Sequence, residues 1–461
     1  FYIIFKYKQE NINIKGKGIF MNKTALTKTY TKDIQNFCLN SKKIVLSLAT
    51  ISFSASCTHA TLTPEIETYE EANRHAKARS GSRSKSSNNE TINNLQTSTK
   101  TINSTGNTLV IGSGGTITIS NGGQQAVNFT QNSSTSTFLN QGTLIGGNNA
   151  ASVQLGANNN NGVTIETFNN QGIIGNGSSK FGVTVWGNSN NKSTINNFTN
   201  SGTIYSNTGE SIYFGNANIS SFANSGIIKS KQDTGVNISQ GTSIGNFNNT
   251  GTIEGKKMGV NVRSTINTFV NERLITATKD GIQINTNVNV KTLINKGTIE
   301  GHTTSIRSLG GTTIETLTNE GIMNGKSAGI YMRGSRVKTL INKGTINHTD
   351  NSVGWGAGIK LENGSTIENI INTGTVNSAS FGIAVTHGKF GTLTIKDGGM
   401  VYGKYEGIGV GQWQTLGDLY IDGSSSNGTV SGIYSDQRGI SLDANSRTQK
   451  IELKNGGIIK G

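Results

Sequence analysis

Six carboxylates recur at related places in the chain and are the first residues to weigh for chemistry. Glu254 and Glu300 share one position of a repeating pattern, Glu315 and Glu368 share another, and Asp397 and Asp422 each precede a glycine. Acid–base cleavage of a glycosidic bond needs two carboxyl groups facing one point at a set separation. Glu254 and Glu300 fall two repeats apart, and so do Glu315 and Glu368, so neither pair reads as an acid–base couple. Asp397 and Asp422 read as aligned on neighbouring repeats, where an aspartate before glycine is ordinary turn chemistry. The histidines are His59, His75, His302, His348 and His387, and they show no metal-ligand spacing. His302 and His348 follow short strand segments at positions expected to be exposed. No nucleophile motif or phosphate loop is present, because the glycine-rich runs recur with the repeat. Exposed aromatics such as Trp186, Trp355 and Trp413 suit contact with sugars or partner proteins, although partial burial in a lengthened corner is the plainer expectation. No catalytic, cofactor or metal residue is assigned, and the chain does not read as an enzyme.

The elements that carry these residues follow from composition. Of 461 residues, 61 are Gly and one is Pro, while charged residues make up 15%. The glycine share is about twice the usual 7% or so. Asn, Thr, Ser and Gly are poor helix formers, which excludes long helices as the main element. Collagen needs abundant proline and a glycine every third residue. Regularly recurring Ile, Val, Leu and Phe argue against full disorder. The formal charge of +15 comes from 41 basic and 26 acidic residues. The basic residues are scattered along the repeats, without the clustering and stacking aromatics of a nucleic-acid footprint. No nucleic-acid partner is expected.

Beyond residue 105 the chain repeats. A motif of the form apolar-x-Asn-x-Gly-x-apolar appears at Phe138/Asn140/Gly142, Phe168/Asn170/Gly172, Phe198/Asn200/Gly202, Phe222/Asn224/Gly226 and Phe247/Asn249/Gly251. It returns at Leu293, Leu317, Leu340 and Ile370, and the copy at Phe269 carries Arg273 in place of glycine. With the altered C-terminal copies at Leu393, Leu419 and Ile451 included, successive copies lie 22 to 32 residues apart. Between them sits a second element, Gly-apolar-x-apolar, as at Gly235, Gly259, Gly281 and Gly329. A further apolar residue stands three places before the Phe or Leu, as at Ile195 and Ile266. Apolar-x-apolar is the period of a strand. The offset of three breaks that parity and predicts a corner or bulge. Asn-x-Gly predicts a turn in which both residues tolerate positive φ. Three short strands and three corners cannot bury their own apolar side chains, but stacked copies can. The expected fold is therefore all-β, a right-handed parallel β-helix of about 13 coils of 22–32 residues over 106–461, roughly 60 Å long at the usual strand spacing. Proline cannot donate to stacked strands, and none occurs after Pro64. The aligned asparagines Asn140, Asn170, Asn200 and their successors are expected to form an amide ladder up one corner, exposed on the rod surface where, with threonine ladders, it suits weak multivalent contact.

The first 105 residues read differently. Residues 1–20 precede Met21 and read as an upstream or non-native start. Residues 21–57 run from Lys-rich sequence through an apolar stretch, Ile44–Phe53, to small residues, the order of a bacterial export signal. Ten apolar-leaning residues are too few for a spanning helix of about 20. Residues 58–105 read as a largely disordered polar linker with one short helix around Tyr69. Cys38 and Cys57 are the only cysteines, so no disulfide staples the repeats.

The basic-apolar-small leader, the polar linker and the proline-poor stack of Asn-x-Gly-Thr-Ile coils resemble an adhesin-like autotransporter passenger. Ser54-Ala55-Ser56-Cys57 resembles a lipoprotein signal with Ser54 in place of the usual leucine, which implies acylation at Cys57; cleavage after Ser56 or Ala60 is the alternative. The resemblance implies export to the surface of a Gram-negative cell through a C-terminal outer-membrane barrel, which is absent from this sequence and leaves a fragment as the expectation. It also implies adhesion to a host cell-surface protein or glycan. A carbohydrate-active β-helix enzyme and a structural spacer without a ligand are the alternatives.

Overall fold

The computed structural model describes residues 89–461, apart from residues 158, 159, 351, 353, 355, 426 and 427. The calls on the export signal, on Cys57, on the short helix around Tyr69 and on Trp355 fall outside the described residues. All the regular structure described is strand. Three parallel sheets of 15, 15 and 14 strands run the length of the unit, with each strand paired to its counterparts one winding before and after. This is the expected parallel β-helix, with fourteen complete windings, one more than the repeat spacing gives.

One winding shows how the sequence builds the whole. Thr265–Asn271 lies in the first sheet, Leu274–Ala277 in the second and Asp280–Ile284 in the third. In the first strand Ile266 and Phe269 both point inward, and Asn267 between them has no register partner on either neighbour. The offset of three is thus a bulge inside one strand, which turns two consecutive side chains outward.

The windings begin earlier than expected. Glu90–Ile92 pairs with Leu109–Ile111 of the strand Thr105–Ile111, so residues 90–105 belong to the windings and not to a linker. The apolar residues that place them, Ile92 and Ile102, are too sparse to show a period in a Ser- and Thr-rich stretch.

The core is one continuous column per inward position. Phe138, Phe168, Phe198, Phe222, Phe247 and Phe269 stack with ring centroids 4.4–5.3 Å apart. Leu293, Leu317 and Leu340 then continue the same column. Beside it runs the predicted ladder. Each side-chain amide from Asn140 to Asn342 donates from Nδ2 to Oδ1 of the asparagine one winding on, in nine bonds of 2.7–2.9 Å. The ladder is buried, not displayed at the surface as an exposed amide ladder would be. Its last amide, Asn372, donates to Met400 O at 3.0 Å, and isoleucine takes the ladder position beyond both ends, at Ile111 and Ile395.

The turn chemistry also differs from expectation. Neither the ladder asparagines nor the glycines two residues on adopt positive φ. Glycine is favoured at this corner for a different reason: a Cβ on Gly251 would stand 2.2 Å from Gly226 O of the winding below. At Arg273 the corner loosens instead. The Leu274 N–H bond to Gly251 O lengthens to 3.2 Å, against 2.9 Å for the equivalent bond from Thr252. The glycines of the third sheet are set by the core: a Cβ on Gly281 would lie 2.7 Å from Ile299 Cγ2.

Candidate binding faces

With the interior filled, chemistry is left to the outward columns, where register sets the neighbours. Adjacent rungs lie about 4.8 Å apart.

The predicted carboxylates fall as follows. Glu254 and Glu300 share a column of the second sheet, with Thr276 between them. Lys338 stands between Glu315 and Glu368 on the first sheet and lies 3.5 Å from Glu315. Asp397 and Asp422 are not aligned. Ile395 pairs with Ile421, which sets Asp397 beside Gly423 and Asp422 beside Lys396. Their motifs differ by one residue, which the shared Asp-Gly conceals. Asp397 adopts a φ of 54° in its turn. Asp422 accepts hydrogen bonds from the backbone and hydroxyl of Ser424 and from Asn455 Nδ2, which holds its carboxyl down at about 2. Among the described residues no cluster of three His, Cys, Asp or Glu side chains is placed to hold a metal.

His302 and His387 are exposed, but His348 is buried, contrary to expectation. It occupies the inward end of a second-sheet strand, where the neighbouring windings carry Gly325 and Ser378. Nδ1 lies 2.9 Å from Ser378 Oγ, and Nε2 has no hydrogen-bond partner. Burial lowers its pKa. Trp186 is half-buried, with its ring 4.3 Å from that of Tyr213, as a lengthened corner leads one to expect, while Trp413 is exposed.

The third sheet carries a polar network that the sequence did not reveal. Asn237 donates to Glu210, Asn261 to Asn237, Asn285 to Asn261, and Gln283 to Asn285. Farther along the same face, Arg307 Nη1 lies 3.3 Å from the buried Asp280 and Arg307 stands over the Tyr331 ring. Lys360 is placed toward that ring from the next winding, and both Tyr331 Oη and Lys360 Nζ reach Glu362, at 2.6 and 2.9 Å. Burial first, and the Glu362 carboxylate second, push the Tyr331 phenol up to about 12. Most of its donors are directed at neighbours within the face, although the buried Arg307 Nε and Asp280 Oδ1 have no hydrogen-bond partner.

The first sheet carries a more open feature. A depression of about 500 Å³ lies over Gly391 and Gly417, where two successive windings lack the outward side chain that Glu368 supplies one winding earlier. Its rim holds Arg336, Thr366, Glu368, Lys389, Thr415 and Gln449. Arg336 forks onto the Glu368 carboxylate through Nε and Nη2. No family model, curated protein or solved structure matches the chain.

Proposed function

We propose that the β-helix is the surface-exposed or secreted passenger of an autotransporter-type protein and that it adheres to host cells or other surfaces. The observation that supports this best is the solenoid itself: three unbroken lateral faces present columns of side chains in register along fourteen windings. Repeated weak contacts along a rigid rod add up to useful avidity. The basic-apolar-small leader and the likeness to adhesin-like passengers support export. Excision of whole windings tests the adhesive role. Asn249 and Asn271 occupy the same ladder position, so removing residues 250–271 joins equivalent points and keeps the register. Binding of the purified protein to cultured cells falls as windings are removed. Cells that never bind the intact rod refute adhesion and favour the spacer. A sequence following residue 461 that encodes no outer-membrane barrel refutes the secretion route.

A further inference from the structure

We infer that the outer face of the first sheet, from Arg336 to Arg447, is a binding track for a linear acidic polysaccharide with one anionic group per disaccharide. The inference rests on the adhesive reading and names the class of surface molecule held. One outward column reads Arg336, Thr366, Lys389, Thr415, Arg447, each paired in register with the next. A cation therefore recurs at every second winding along the rod axis, about 10 Å apart at the usual strand spacing. Hydroxyls fill the intervening rungs. Arg336, Lys389 and Arg447 are exposed.

The depression over Gly391 and Gly417 lies directly beside this column, and its volume of about 500 Å³ is within the range of small-molecule sites, about 300–1,000 Å³. Its floor is backbone, and its rim offers Gln449, Thr366 and Thr415 to a hydroxylated ligand. Phe390, the one aromatic residue at the depression, is buried in the core. A single-stranded nucleic acid would want exposed rings on which to stack its bases. Polysaccharide fits better, because alternate sugars carry the charge while the ring between them meets hydroxyls and amide. Glu368 holds Arg336 when the track is empty, and a ligand carboxylate competes for the same guanidinium.

The test uses hyaluronan oligomers, which carry one carboxylate per disaccharide, with neutral dextran, polyglutamate and single-stranded DNA as comparison probes. Binding is expected to hyaluronan and not to dextran, and to weaken with salt. Lys389→Glu lowers the affinity about tenfold, as expected where an attractive contact becomes repulsive. Glu368→Gln frees Arg336 and raises it about threefold, in line with a surface ion pair; a damaged fold does not produce that gain. Far-UV circular dichroism verifies that both variants keep the sheet. Affinity unchanged by both variants, or equal binding to polyglutamate or DNA, overturns the proposal. Cells that still bind Lys389→Glu as well as the parent sink the track but leave adhesion standing. Binding to hyaluronan without binding to cells does the reverse.

Discussion

Replacing Asn249 by aspartate tests whether the buried amide ladder depends on its donors. Asn249 is fully buried. Its Oδ1 accepts from Asn224 Nδ2 at 2.8 Å, and its Nδ2 faces three oxygens: Asn271 Oδ1 at 2.8 Å, and Gly251 O and Leu274 O at 3.1 Å. Aspartate keeps the shape, so no cavity enters the comparison. One carboxyl oxygen goes on accepting from Asn224. The other confronts three acceptors, and only a protonated carboxyl can donate to one of them. The folded state therefore raises the pKa above the ordinary value near 3.9, and without a cation beside it a buried carboxyl rises by about 3 units or more. The sign follows from proton binding. Between the unfolded and folded pKa values the native state binds more protons, so stability falls as pH rises through that window. At about 1.4 kcal/mol per unit, a shift of about 3 units costs about 4 kcal/mol between pH near 4 and pH near 7. A further cost of about 1–2 kcal/mol, independent of pH, comes from the two carbonyls that lose a donor. Urea unfolding followed by circular dichroism at both pH values, with the parent protein alongside, measures the difference. Because each winding touches only its neighbours, hydrogen exchange of Asn224 through Asn295 should report the same loss locally. A penalty that is equal at the two pH values refutes the ladder as an obligatory chain of donors.

Three further outcomes follow from the packing. Gly251→Ala is expected to cost about 1–3 kcal/mol, because the new Cβ meets Gly226 O, while Arg273→Ala at the equivalent corner changes stability by less than about 0.5 kcal/mol; equal effects in chemical unfolding would discard the carbonyl clash. Phe222→Ala, in the middle of the ring stack, should lose about 3–5 kcal/mol, and Phe222→Leu considerably less, since Leu293 fills the same column in a later winding; thermal unfolding compares the two. His348 has a folded pKa lowered by burial, so below its unfolded value near 6.5 the unfolded chain binds the extra proton and stability falls. His348→Ser, which copies Ser378 one winding on, should remove that acid sensitivity; a His348→Ser protein that loses stability on acidification as the parent does would show that other groups cause it.

The interior was legible in the sequence and the exterior was not, for one physical reason. Inward positions are chosen from few residue types, because each must fill the same volume in every winding, and so Phe168, Phe198 and Phe222 announce their column however many residues separate them. Outward positions have no such constraint. Arg336, Lys389 and Arg447 share a column, and each stands four places before the Leu or Ile at the inward position of its winding, at Leu340, Leu393 and Ile451, but outward residue types vary so freely between windings that this shared offset does not single them out. The same blindness made Asp397 and Asp422 look aligned, since Asp-Gly is a local signal and register is not. His348 went wrong differently. Its position matches Gly325 and Ser378, small residues at an inward strand end, but a histidine after a strand reads as the start of an exposed turn. Comparing each residue with its rung neighbours instead of its chain neighbours would have placed it inside. In a solenoid that comparison is the one that carries function, because a ligand lying along the rod meets residues 23 to 32 apart in sequence, as from Arg336 to Arg447, and about 5 Å apart in space. A site of that kind forms no contiguous motif, and the register assembles it.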